Sequence, residues 1–157
     1  MYTEHKVTDS KETAAGQPYF SVDLNKFGYS LNQIKESGYK TIVVIMQMNI
    51  RELDDEYQEI YLYKNSSAGS DTLITPIKSF EHGSGYKNTS YTRYEFYAEV
   101  PVDNFSSSFF YIRFGANGKY NDDWMLSKLA VQICLSKENQ KIGYLAHVSN
   151  AVVDPID

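Results

Sequence analysis

The residues with the clearest chemical promise are aromatic and carboxylate side chains spaced two apart. Tyr57, Glu59, Tyr61 and Tyr63 share one side of an alternating run. Arg93, Glu95, Tyr97 and Glu99 do so in a second, and Phe109, Tyr111 and Arg113 in a third. Alternate residues of a strand point to the same face. If the three runs are sheet neighbours, they expose a surface of rings interspersed with carboxylates and a guanidinium. The apolar C–H face of a pyranose stacks on such rings, and its hydroxyls seek charged and amide groups nearby. Tyr61, Tyr97 and Tyr111 are therefore the candidate stacking residues, with Glu95 and Arg113 as candidate hydrogen-bonding partners for hydroxyls. Two plainer explanations compete. Tyrosine is a good strand former, and the terminal segments or another domain would cover such a face.

The second candidate is the loop 115–124, GANGKYNDDW. Asp122 and Asp123 are placed to bond ligand hydroxyls and Trp124, the one tryptophan, to stack or to plug the end of a core. Asn121, Asp122 and Asp123 also offer oxygen ligands suited to a structural Ca²⁺. The alternating acids and late glutamate of a calcium loop are missing, so turn formation is the expected role and no cofactor is expected.

Catalytic patterns are absent. No nucleophile elbow, phosphate loop or dinucleotide fingerprint is present. His5, His82 and His147 lie far apart, and none falls in a metal-binding spacing. Glu81 beside His82 reads as an incidental surface pair, and Asp54-Asp55-Glu56 as a solvated turn. Cys134 has no histidine near it in the pattern. The expectation is a protein that is not an enzyme.

Strands must position these groups. Ile42, Val44, Met46, Met48 and Ile50 alternate through a long run, 39–53, whose Val43 and Ile45 make the opposite side apolar as well. That length predicts a bend or bulge near Gln47. Ile60 and Leu62 face inward from 57–64, Tyr94, Phe96, Ala98 and Val100 from 91–102, and Phe110, Ile112 and Phe114 from 107 onward. Leu129, Val131, Ile133 and Leu135 alternate after the loop, but Leu126 is out of phase, which predicts a second bulge near Ser127-Lys128. Pro76 makes 71–80 an edge strand or splits it. A short strand at 18–23 and a last one at 142–153, closed by Pro155, complete the set. Between them Ser30 is an N-cap for one or two helical turns carrying Leu31 and Ile34, with Gly38 as the terminating glycine.

This pattern predicts an all-β antiparallel sandwich of seven to eight strands with one short helix, jelly-roll-like. An immunoglobulin-like order and a closed lipocalin-type barrel are the alternatives. At 157 residues the chain forms one domain, with 1–17 as a flexible lead-in and 18–157 as the sandwich.

A net charge of −5 argues against a nucleic-acid partner. No apolar run approaches the length of a membrane span, and the first 17 residues lack the apolar core of a signal peptide. A single cysteine permits no internal disulfide and leaves the compartment open. The balance leans to an extracellular module of a larger protein. Asn65, Asn88 and Asn104 fit the glycosylation pattern, which matters only in a eukaryotic secretory setting.

The loop GANGKYNDDW followed by LAVQI resembles the last strands of jelly-roll domains of the carbohydrate-binding-module and galactose-binding-like type, where a Trp beside an acidic loop precedes the closing strand. The resemblance covers 91–135 and is one of pattern. It implies a non-catalytic glycan-binding module, sometimes with a structural Ca²⁺, and it places no family ligand residue on this chain. The alternative partner is a neighbouring protein domain or subunit docked on the tyrosine face.

Overall fold

A computed structural model describes residues 19–51, 58–65, 70–80, 90–116, 125–138, 145–152 and 154–156. Asp122, Asp123 and Trp124, the segment 1–17, Glu81-His82 and the acidic turn 54–56 lie outside the described residues.

The strands are β1 (Tyr19–Asp23), β2 (Thr41–Arg51), β3 (Gln58–Tyr63), β4 (Leu73–Phe80), β5 (Thr92–Pro101), β6 (Phe109–Ala116), β7 (Met125–Ser136), β8 (Leu145–Val152) and β9 (Asp154–Ile156). They form a five-stranded sheet in the order β4-β3-β6-β1-β9 and a four-stranded sheet in the order β5-β2-β7-β8. Every pairing is antiparallel. The result is an open sandwich rather than a closed barrel. The chain passes repeatedly from sheet to sheet, and the pairs β1–β9, β2–β7 and β3–β6 nest inside one another as in a jelly roll.

Alternation explains the core. Ile42, Val44, Met46, Met48 and Ile50 of β2, Ile60 and Leu62 of β3, Phe110, Ile112 and Phe114 of β6, and Leu129, Val131, Ile133 and Leu135 of β7 join one buried cluster between the sheets. Phe20 packs edge-on against Phe114, their centroids 5.7 Å apart. The helix α1 (Leu31–Glu36) closes one end. Ser30 caps it, its hydroxyl accepting from the Gln33 amide at 3.1 Å while the Gln33 side chain accepts from the Ser30 amide at 2.8 Å. Leu31 and Ile34 are its buried residues, and Gly38 follows with a φ of 83°. The Leu31 amide donates to the Ser108 hydroxyl at 2.9 Å, which ties the helix to the start of β6.

Two expectations about irregularity met different fates. Lys128 pairs with Asn49 while Leu126 pairs with Ile50, so Ser127 is the extra residue of a bulge in β7. No bulge falls at Gln47, where β2 stays in continuous register with β5 on one side and β7 on the other. Neighbours on both sides support an eleven-residue strand without a break. Pro76 sits in the edge strand β4, with a register shift beside it, as a residue lacking an N–H requires. Pro155 lies inside β9, opposite Phe20, rather than merely closing β8. An edge strand tolerates it for the same reason.

Candidate functional site

Arg113 projects from the outward side of β6, which β3 and β1 flank. In register it stands beside Tyr61 of β3 and Tyr19 of β1. One pair along, Tyr111 stands between Tyr63 and Ser21. The guanidinium carbon lies 5.0 Å from the Tyr19 ring centre and 5.7 Å from that of Tyr63, within cation–π range. Tyr19 meets Tyr111 edge-on at 5.9 Å, and Tyr61 and Tyr63 are tilted against each other at 5.7 Å. The four rings are half-buried, and they leave Arg113 only 6% exposed. Burial pushes the Arg113 guanidinium below its usual range, while Tyr63 and Tyr19 act in the opposite sense. It remains a cation at neutral pH. A cation so enclosed orients the rings around it and offers little of itself to a ligand.

Glu95 and Tyr97 are elsewhere. The expectation of one face required the third, fifth and sixth strands to be neighbours. β3 and β6 are, but β5 belongs to the other sheet and pairs with β2. Tyr61, Tyr111 and Arg113 are thus brought together on the outside of the five-stranded sheet, and Glu95 and Tyr97 on the outside of the four-stranded one. There the Tyr97 hydroxyl donates to one Glu95 carboxylate oxygen, and Gln47 Nε2 donates to the other at 2.7 Å. These bonds, Tyr97 first and Gln47 second, hold the Glu95 carboxyl below the usual glutamate range. The same bond to Glu95 raises the Tyr97 phenol. The pair is well exposed, with Tyr97 at 50%.

Two participants escaped the sequence reading of the site. Tyr19 could be assigned to either side of a short strand, and the signal that settles it is the burial of Phe20 and Val22 on the other. Alternation with the buried Met46 and Met48 puts Gln47 on the outward side of β2, but nothing local tells that β5 lies next to it.

Beside Gln47 the outward side of the four-stranded sheet is apolar. Val43, Ile45 and Cys134 form a small buried cluster distinct from the main core. Val43 and Cys134 face each other across the β2–β7 pair, each 1% exposed. Burial raises the Cys134 thiol and keeps it a poor nucleophile. Among the described residues no cluster of His, Cys, Asp or Glu is suited to a metal ion, and no helix is long and apolar enough to cross a membrane.

No family model, no curated protein and no solved structure matches this chain.

Proposed function

We propose that the protein is a non-catalytic binding module that takes carbohydrate on the outer face of its five-stranded sheet. The observation that carries this reading is the patch of Tyr19, Tyr61, Tyr63 and Tyr111 held around the buried Arg113. Tyr19 and Tyr63 pack against the guanidinium, and Tyr111 and Tyr61 against those two rings, so little side-chain freedom remains to be lost when a sugar stacks on them. Glu59, Ser21 and Asp23 on the same outward side supply acceptors and donors for hydroxyls. Glu95 and Tyr97 form a separate surface and are not part of this site.

A glycan-array screen of the intact chain, followed by titration of any hit, tests the reading. Tyr61→Ala and Tyr111→Ala should each weaken binding by up to about tenfold, as loss of one stacking ring predicts. Tyr97→Ala should leave it unchanged. Binding lost in Tyr97→Ala but retained in Tyr111→Ala would move the site to the other sheet.

One observation favours a second reading, a surface that docks a neighbouring protein domain. Phe109 lies on the same outward side of β6 and is 46% exposed. A bare apolar ring beside tyrosines suits a protein interface better than a sugar hydroxyl. In that case no glycan binds, and Phe109→Ala lowers affinity for the docked domain.

A further inference from the structure

Along the outward side of β6 the rows of the five-stranded sheet change character. Arg113 lies level with Tyr19 and Tyr61, and Tyr111 with Ser21 and Tyr63. One row on, about 7 Å along the strand, Phe109 stands opposite Asp23. Phe109 is 46% exposed, against 6% for Arg113. Both halves of this third row are fixed in place. The Ser107 hydroxyl accepts from the Phe109 amide at 3.1 Å and donates to the Phe109 carbonyl at 3.2 Å. Asp23 caps the short helical turn Leu24–Phe27, and its Oδ1 accepts from the Asn25 amide at 3.0 Å and from the Asn25 side chain at 2.9 Å. Among the described residues no donor is paired with its other oxygen, Oδ2.

We propose that Phe109 and Asp23 form a subsite for a protonated amine, which makes an amino sugar the unit bound at that end of the glycan. The assignment rests on the carbohydrate reading for what carries the amine, and on charge for the amine itself. The pyranose lays its C–H face on Phe109, so no hydroxyl meets the bare ring. The amine projects from the edge of the sugar to Asp23 Oδ2, which has an oxygen lone pair to offer. The C–H groups beside an ammonium carry part of its positive charge, and the electron-rich face of Phe109 attracts them as it does a cation. Opposite residues of an antiparallel pair hold their Cβ atoms about 5 Å apart, close enough for a sugar on Phe109 to reach the Asp23 carboxylate.

The charge of the face works against the opposite class of ligand. The outward positions of β1, β3 and β6 carry the carboxylates of Asp23 and Glu59 and one cation, Arg113. Rings enclose Arg113. An acidic sugar laid on this face therefore meets carboxylates and does not reach the guanidinium. A neutral sugar is accepted, but it gains from Asp23 only an ordinary hydrogen bond, roughly half as strong as a charge-assisted one. The net charge of −5 acts in the same sense, drawing cations to the surface and repelling anions.

Titration calorimetry of the full chain with short oligomers of glucosamine, glucose and glucuronate tests the proposal, in mildly acidic buffer where the amine is protonated. The glucosamine oligomer should bind about fivefold more tightly than the glucose oligomer, the scale of an exposed ion pair with a cation–π share. The glucuronate oligomer should bind most weakly. Asp23→Asn should erase the preference for glucosamine over glucose. Asparagine can still cap the turn, so folding should survive, as circular dichroism would check. Phe109→Ala should weaken the glucosamine oligomer by up to about tenfold. Tyr111→Ala should weaken all three and leave their order unchanged. Oligomers that bind equally well, a preference that survives Asp23→Asn, or no loss in Phe109→Ala would overturn the subsite while the carbohydrate reading stands. If no oligomer binds, the carbohydrate reading falls, and methylammonium, which carries the amine without a sugar, decides the rest. It should shift the NMR signals of the Phe109 ring in the unmodified chain and leave them unmoved in Asp23→Asn, which would retain the amine subsite alone. No shift in the unmodified chain would overturn the subsite too.

Discussion

The two outer faces of this sandwich are built from the same alternation of tyrosine and charge, yet they come out differently. On the five-stranded sheet Arg113 sits on a strand with neighbours on both sides, and tyrosines from β1 and β3 enclose it. On the four-stranded sheet Tyr97 sits on β5, the outermost of the described strands of that sheet, and stays half in water. Further in, the same face turns apolar at Val43, Ile45 and Cys134. Strand position, more than residue type, decides which polar side chain is enclosed and which is presented.

The largest effect that would sharpen this contrast is expected at Val43. Val43→Asp places an unpaired carboxylate in the closed centre of the four-stranded sheet and should cost about 3 kcal/mol or more in urea unfolding. A loss near zero would mean that this centre is open to water in solution. Next comes Arg113→Ala, which removes two cation–π contacts and the packed stem of the side chain. It should cost about 2 kcal/mol, whereas Tyr97→Ala should leave the urea midpoint unchanged within error. Equal effects of the two would erase the distinction between enclosed and outermost positions. The smallest effect concerns Glu95. Its carboxyl is held low in the folded chain, so the associated stability is present above the unfolded-state value and is lost as pH falls through the folded one. Solvent screening keeps that contribution small. An NMR titration should find the Glu95 carboxyl rising towards the ordinary glutamate range in Tyr97→Phe. An unchanged midpoint would show that the phenol–carboxylate bond is not populated in solution.

Much of the fold was legible because β-structure writes itself in period two. The inward sets of β2, β3, β6 and β7 are buried as the alternation requires. The phase break between Leu126 and Leu129 marked the bulge at Ser127, and the Ser30 cap and Gly38 marked the ends of α1. The bulge expected near Gln47 did not follow, because strand length alone ignores the support that partners on both sides provide. The binding face was legible only strand by strand. Tyr61 with Tyr63, Glu95 with Tyr97, and Tyr111 with Arg113 were correctly grouped within their runs, but joining the three runs required an order of strands.

The sequence alone determined which residues share a side of each strand, where Pro76 forces an edge or a break and which residues cap the helix. These are local matters of side-chain direction, missing N–H groups and hydrogen bonds a few residues long. Tertiary structure decided that β5 pairs with β2 and not with β3 or β6, that Tyr19 completes the ring of tyrosines around Arg113, and that Gln47 reaches Glu95. Those outcomes depend on pairings between distant segments. Many strand orders satisfy the same alternation, and the choice among them is made only when both sheets close over one core.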